Sequence, residues 1–168
     1  MTTTHILETA EAGIAYDVRG PLPTADGVVV LSSPSPGAPV KITASAVSLN
    51  VDDVAASAAF LTTHFGFTEQ MSADGFVSLT RPDTGMNVVF LRRGMDMLPE
   101  DQRHDHAAGL ILAFEVDDLD GELARLQAED VTITMPLRSE DWGERAFQVR
   151  DPNGVIVELL DWNAPQRG

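Results

Sequence analysis

Cysteine is absent from the 168-residue chain, and aromatic residues make up only 6% of it. Without thiols the chain forms no disulfide and no thiolate metal site, so any metal ligand has to be histidine, aspartate or glutamate. No apolar run approaches the roughly 20 residues that span a bilayer. The amino terminus carries no basic segment followed by an apolar one, which predicts a cytoplasmic protein.

Basic residues are also scarce: 11 lysines and arginines stand against 26 aspartates and glutamates, for a formal net charge of -15. Such a field repels polyanions, so neither nucleic acid nor an anionic membrane is an expected partner. A cationic ligand would be attracted to the protein. Surface acidity also serves solubility alone, and the charge does not distinguish these two roles.

A repeat occupies the later part of the chain. The stretches VSLNVDDVAASAAFL, from Val47, and LAFEVDDLDGELARL, from Leu112, place their VDD triplets 65 residues apart. In each copy an aspartate, Asp52 or Asp117, is predicted to cap a helix, because a short acceptor side chain satisfies the first free helix N–H groups. Apolar residues at helical spacing follow each cap: Val54, Ala58, Leu61 and Phe65 in the first copy, and Leu119, Leu123 and Leu126 in the second.

Strand candidates then lead to a glycine-ended turn in each copy, RPDTG at residues 81–85 and RDPNG at residues 150–154. Each copy therefore reads βαβββ, and the predicted fold class is α+β with two such modules. A module of this kind has one sheet face covered by its helix and the other bare. Two copies are expected to pair and leave a cleft between the uncovered faces, which is where a ligand would bind.

The chain divides into an N-terminal extension and linker, residues 1–40, and a repeat domain, residues 41–168, with modules at about 44–91 and 109–162. The extension is predicted to hold two short strands and a third, VVVL, at residues 28–31. A polar linker, Arg92 to Ala108, joins the modules and contains His104 and His106. An H-x-H pair on a strand suits zinc or copper, although in a solvated linker it usually has no metal role.

Three stretches carry a family resemblance: VSLNVDDVAASAAFLTTHFGF, LAFEVDDLDGELARL and WGERAFQVRDPNGVIVELLDW. From about Ala44 to Trp162 the sequence resembles the vicinal oxygen chelate superfamily, which includes glyoxalases, extradiol dioxygenases and bleomycin resistance proteins. The third stretch is the most specific, because a strand, a D-P-x-G turn and a strand ending in a glutamate form the family's closing hairpin. The resemblance implies curved sheets that enclose a ligand cavity, often completed by a homodimer.

The resemblance also implies where a divalent metal would be held in metal-dependent members. Carried over position by position, the four seats are Ala46, Val89, Ile111 and Glu158. Only Glu158 offers a donor, whereas a catalytic metal needs about three protein ligands. The prediction is a metal-independent protein with no cofactor.

Strand alternation predicts which side chains face the cleft. The predicted ligand-binding residues are Ser48, Asn50, Ile111, Glu115, Trp142 and Glu158. Glu158 is also the candidate catalytic residue, as a general acid or base. Without a metal, its carboxylate has to pair with an arginine (Arg81, Arg145 and Arg150 are candidates), accept hydrogen bonds, or carry a proton. The alternative is a vestigial residue. Trp142 and Trp162 suit stacking on a flat or cationic ligand, or simply cover apolar surface.

Two functions remain open at this point. The leading one is a metal-independent binding protein of the resistance or sequestration type, in which a dimeric cleft holds an aromatic or cationic natural product such as an antibiotic. The alternative is a glyoxalase-like lyase, isomerase or dioxygenase that uses a divalent metal or Glu158 as acid or base. The sequence does not decide whether the protein is an enzyme.

Overall fold

The computed structural model describes residues 3–8, 13–18 and 40–162. Residues Met1–Lys41 and Ile42–Gly168 form separate compact units. In the first unit, strands β1 (Thr3–Glu8) and β2 (Gly13–Val18) pair antiparallel. The third strand predicted in the extension, at residues 28–31, lies outside the described residues.

The first module follows the predicted order of elements. It consists of β3 (Ala46–Val51), α1 (Val54–Phe65), β4 (Thr68–Ala73), β5 (Phe76–Thr80) and β6 (Asn87–Arg92). The strands form a four-stranded sheet in the order β3-β6-β5-β4, with β3 parallel to β6 and the other pairs antiparallel.

The second module repeats this topology. It consists of β7 (Ile111–Glu115), α2 (Leu119–Ala128), β8 (Ile133–Ser139), β9 (Glu144–Arg150) and β10 (Ile156–Trp162). Its sheet has the order β7-β10-β9-β8, again with only the first pair parallel. The predicted α+β fold of two βαβββ modules is confirmed.

The helix caps lie one residue later than predicted. Asp53 caps α1 and accepts a hydrogen bond from the Ala56 N–H, and Asp118 caps α2 in the same way through the Gly121 N–H. The prediction of Asp52 and Asp117 was wrong because each helix starts immediately after the second aspartate of its VDD triplet. Asp52 instead forms an ion pair with Arg93 at 2.9 Å.

The core lies between the two modules. Buried side chains of both modules belong to one hydrophobic cluster, to which α1 contributes Val54, Ala58, Leu61 and Phe65, and α2 contributes Leu119 and Leu126. Phe114 of β7 packs against the rings of Phe65 and Phe67, with centroid separations of 6.4 and 5.8 Å. The modules therefore join through their helix-bearing faces.

The linker is hydrogen-bonded to the end of β3. The N–H groups of Arg93 and Ala107 donate to the carbonyls of Val51 and Asn50, at 3.0 and 2.8 Å. His106 Nδ1 lies 3.0 Å from the Ala107 carbonyl. Within the described residues, no three histidine, aspartate or glutamate side chains are grouped to hold a metal ion.

Across the ranges that the structure describes, no helix combines the length and the apolar character needed to cross a membrane.

Candidate functional site

Glu158 lies in the middle of β10, on the sheet face turned away from α2. Its neighbours Val157 and Leu159 are buried in the core, while Glu158 itself is half-buried. Gln148 stands directly across the β9–β10 pair, and its side-chain amide donates to Glu158 Oε2 at 2.6 Å. The carboxylate was expected to pair with an arginine, accept hydrogen bonds or carry a proton, and the structure shows a hydrogen bond from the amide of Gln148.

None of the three candidate arginines pairs with Glu158. Arg145 binds Asp161 at 2.5 Å and Asp120 at 3.1 Å, which places its side chain on the helix-bearing face. The hydrogen bond from Arg145 holds the pKa of Asp161 below its ordinary value. Arg150 donates to the Gly154 carbonyl, and Arg81 to Asp83 and to the Phe65 carbonyl. Strand alternation explains why Arg145 does not reach Glu158. Arg145 is three residues from Gln148 on β9, so the two side chains point to opposite faces of the sheet.

The four positions that correspond to the family's metal ligands lie on β3, β6, β7 and β10. Val89 alternates with buried Val88 and Phe90 as Glu158 does with its neighbours, so both central-strand seats are on uncovered faces. Ala46 and Ile111 begin the strands beside them and are exposed. Three of these side chains are hydrocarbons with no lone pair to donate. This donor set does not fit the family's metal.

The structure divides the predicted ligand-binding residues between the two sheets. Ile111, Glu115 and Glu158 share the uncovered face of the second sheet, where Ile111 pairs with Ile156 and Glu115 with Leu160. Ser48 and Asn50 belong to the uncovered face of the first sheet. Ser48 is exposed opposite Val89, whereas Asn50 is engaged by the linker, since its Nδ2 donates to the Gln102 carbonyl at 3.3 Å.

Trp142 lies in the loop before β9 and is 66% exposed. Its indole N–H donates to Glu144 Oε2 at 3.0 Å, and Glu144 pairs across the strands with Trp162, which is 49% exposed. The two tryptophans therefore stand at the same end of the β9–β10 hairpin. Since a strand rises about 3.3 Å per residue, Trp162 is about 13 Å along β10 from Glu158.

Gln148 is a residue of the candidate site that the sequence did not predict. A signal for it exists, because counting back from the DPNG turn through the hairpin register leads from Glu158 to Gln148. The residues of a large cavity were missed as well, and for them no such signal exists, because two modules contribute to it. This cavity has a volume of about 790 Å³ and lies between the 81–86 turn, β7 and α2. Of the predicted site residues, it includes Glu115.

Comparisons with known proteins agree with this architecture. The sequence profile of the Glyoxalase/Bleomycin resistance protein/Dioxygenase superfamily matches residues 43–159. No curated protein sequence matches the chain. Solved structures do match it, and three of them are described below.

A glyoxalase/bleomycin resistance protein/dioxygenase from Nocardioides is 22% identical, with a TM-score of 0.59, over 77% of this chain and 89% of that one. Lactoylglutathione lyase from Agrobacterium tumefaciens is 21% identical, with a TM-score of 0.59, over 73% and 95%. TioX from Micromonospora sp. ML1 is 24% identical, with a TM-score of 0.55, over 71% and 98%. At these identities the solved structures establish the fold alone. Because the family profile covers well over half of the sequence, this chain belongs to the Glyoxalase/Bleomycin resistance protein/Dioxygenase superfamily.

Proposed function

We propose that this protein binds a small molecule without a metal, on the uncovered face that carries Glu158, in the manner of the resistance and sequestration branch of its superfamily. The observation that carries the proposal is the hydrogen bonding of the Glu158 carboxylate. The one donor left in the metal seats is held by the amide of Gln148, which orients its carboxylate. Oε1 of Glu158 makes no hydrogen bond to any residue in the described ranges and is available to a ligand.

The chemistry of this face favours an aromatic compound with an amine or a hydroxyl. A half-buried carboxylate accepts hydrogen bonds from such groups, and hydrogen bonds to charged groups are the stronger ones, about 1.5–3 kcal/mol. An aromatic compound that extends about 13 Å from Glu158 reaches Trp162, whose exposed indole offers a stacking surface. The net charge of -15 favours cationic ligands over anionic ones.

A homodimer belongs to this proposal. Because the modules of one chain join through their helix-bearing faces, their uncovered faces are left to solvent, and large apolar side chains are exposed there. Ile111 is 46% exposed, Met71 60% and Trp162 49%. A second copy that covers these residues would enclose Glu158, and light scattering on the purified protein measures the assembly. The cytoplasmic location stays a prediction.

Tryptophan fluorescence tests the proposal. We expect saturable quenching when the protein is titrated with members of a panel of cationic glycopeptide and polycyclic aromatic antibiotics. Replacing Glu158 by glutamine removes the charge but keeps the size, and should weaken binding about tenfold or more, because a charge-assisted hydrogen bond is lost. Glu100→Gln, an exposed acid in the linker, is the matched control and should bind as the unaltered protein does.

Two results would contradict the proposal. One is a panel in which no compound quenches the fluorescence, or in which Glu158→Gln binds every ligand unchanged. The other is a stoichiometric divalent metal in the purified protein, measured by mass spectrometry of the ashed sample. Such a metal would support the enzyme alternative.

A further inference from the structure

The two modules are related by an approximate two-fold axis. Positions 65 residues apart are equivalent in the strand and helix that open each module, so that Asp53 corresponds to Asp118, and His64 to Glu129. The equivalent residues His64 and Glu129 touch each other, with Nδ1 2.7 Å from Oε2. A contact between equivalent positions lies on the axis, which therefore passes between the C-terminal turns of α1 and α2. Under two-fold symmetry every other contact between the modules should occur twice.

In one of these two equivalent contacts, the turn and the helix are joined by hydrogen bonds. The turn between β9 and β10 of the second module docks on the start of α1, where Asn153 accepts from the Asp53 N–H at 3.0 Å and donates to the Asp53 carbonyl at 2.7 Å. Asn153 also donates to Ser57 Oγ at 2.8 Å, and Ser57 in turn donates to Asp151. Ser57 is completely buried.

The other contact lacks these hydrogen bonds. By the same correspondence, the 81–85 turn of the first module faces the start of α2, and Glu122 stands where Ser57 stands in α1. Thr84 replaces Asn153 in the turn, but its hydroxyl bonds to the backbone of its own turn, at Arg81 and Met86. Among the residues that the structure describes, no side chain equivalent to Asn153 bridges the turn and the helix. The cavity of about 790 Å³ lies at this position.

The arginines of the cavity are already neutralised. Arg81 binds both oxygens of Asp83, at 2.8 and 2.9 Å, and donates to the Phe65 carbonyl at 2.7 Å. Arg125 is shared between Glu122 at 2.7 Å and Glu129 at 2.8 Å, and donates to the His64 carbonyl at 2.9 Å. Both guanidinium groups thus satisfy free carbonyls at the end of α1 as well as carboxylates.

The surplus charge of the cavity is negative. Glu115 forms no ion pair with any residue in the described ranges, and Arg125 serves two carboxylates at once. Apolar side chains supply much of the rest of the wall, including Phe65, Phe114 and Met86. The volume falls within the range of about 300–1,000 Å³ that small-molecule sites occupy.

We propose that this cavity, at the β7 edge of the second sheet, is a second ligand site and that it binds an aromatic primary amine. The ammonium group lies against Glu115 and the carboxylate of Glu122, and the ring lies against Phe65, Phe114 and Met86. Glu158, Trp142 and Trp162 do not line this cavity. Glu115 shares the sheet face of Glu158 but lies on the edge strand β7.

Binding of 1-naphthylmethylamine, followed by the fluorescence anisotropy of its ring, tests the charge requirement. We expect the amine to bind at least about tenfold more tightly than the neutral 1-naphthalenemethanol, because only the amine pairs with a carboxylate. In Glu115→Gln the amine should bind about as weakly as the alcohol, while Glu100→Gln, at an exposed acid in the linker, should leave the preference for the amine intact. Glu115 is exposed, so its replacement does not disturb the core. Equal binding of amine and alcohol, or an unaltered preference in Glu115→Gln, would overturn the proposal.

A unique thiol tests the location. Because the chain has no cysteine, Thr84→Cys places a single thiol in the cavity wall, and its reaction with a methanethiosulfonate reagent can be timed. We expect saturating 1-naphthylmethylamine to slow this reaction at least about tenfold, as exclusion from an occupied site requires. Ser139→Cys, an exposed position on β8, should react at the same rate with and without the amine. Failure of the amine to protect the thiol at position 84 would place its binding elsewhere and refute the assignment.

Discussion

At the scale of single residues, Asn153 holds the two modules together through the turn that carries the family's most specific motif. Its side chain accepts from the Asp53 N–H and donates to the Asp53 carbonyl and to Ser57, so it completes the cap region of a helix in the other module. The sequence marks DPNG as a turn, but nothing in the turn itself identifies a partner 100 residues away.

Asn153→Ala should lower the free energy of unfolding by about 2 kcal/mol, because several hydrogen bonds are lost and Ser57 is left buried with fewer partners. Urea denaturation followed by circular dichroism measures the change. Asn87→Ala is the matched control, since the Asn87 side chain makes no hydrogen bond within the described ranges, and it should cost much less. Equal losses in the two variants would show that the bridge adds no stability.

At the scale of elements, helix α1 ends at Phe65 and Gly66 caps it. This glycine has a φ of +65° and its N–H bonds to the Leu61 carbonyl, so the chain turns out of the helix through a left-handed residue. The conformation, not the space, demands glycine, because an added Cβ would have no neighbour within 4 Å. The cap at the other end illustrates the limit of a sequence argument, since two adjacent aspartates are equally good caps until the helix start is known.

Gly66→Ala should destabilise the protein by about 1 kcal/mol, because an L side chain strains the left-handed conformation. Gly66→Asn should lose less, since asparagine tolerates this region better. Thermal unfolding of both variants beside the unaltered protein gives the comparison. If alanine and asparagine prove equally costly, backbone conformation is not what selects glycine here.

At the scale of the whole molecule, ion pairs between elements tie stability to pH. Arg145 holds the pKa of Asp161 below its ordinary value through a hydrogen bond. His64, across the module boundary, and then Arg125, from the same helix, do the same for the pKa of Glu129. In the unfolded chain these carboxylates take up protons at about pH 4. The folded state keeps them charged to lower pH and so binds fewer protons, which means that stability falls as the pH falls below about 5.

Asp161→Asn should therefore flatten the acid side of the stability profile. The difference in unfolding free energy between pH 7 and pH 3 should be smaller in this variant than in the unaltered protein, because asparagine cannot gain a proton. Urea titrations at a series of pH values measure it, with Asp141→Asn, in the exposed loop beside Trp142, as the control. A profile for Asp161→Asn that follows the unaltered protein would contradict the assignment of this ion pair to acid stability.

The sequence by itself determined the duplicated βαβββ modules, the helix faces that enter the core, and the position of Glu158 on β10. These follow from patterns local to each module, in which helical and strand periodicities and glycine turns specify the elements directly. The family resemblance, not these local rules, assigns Ala46, Val89 and Ile111 to the positions of metal ligands, and the sequence alone shows that these side chains carry no donor.

The partner of Glu158 follows from the register of one hairpin, whereas the way in which the modules meet follows from the tertiary structure alone. The hydrogen bond from Gln148 depends on the β9–β10 register, and the destinations of Arg81 and Arg145 depend on helices and turns distant in sequence. The cavity beside α2 exists because one of two equivalent contacts is bridged by Asn153 and the other is not. A contact between modules depends on both partners at once, so no pattern within either module can predict it.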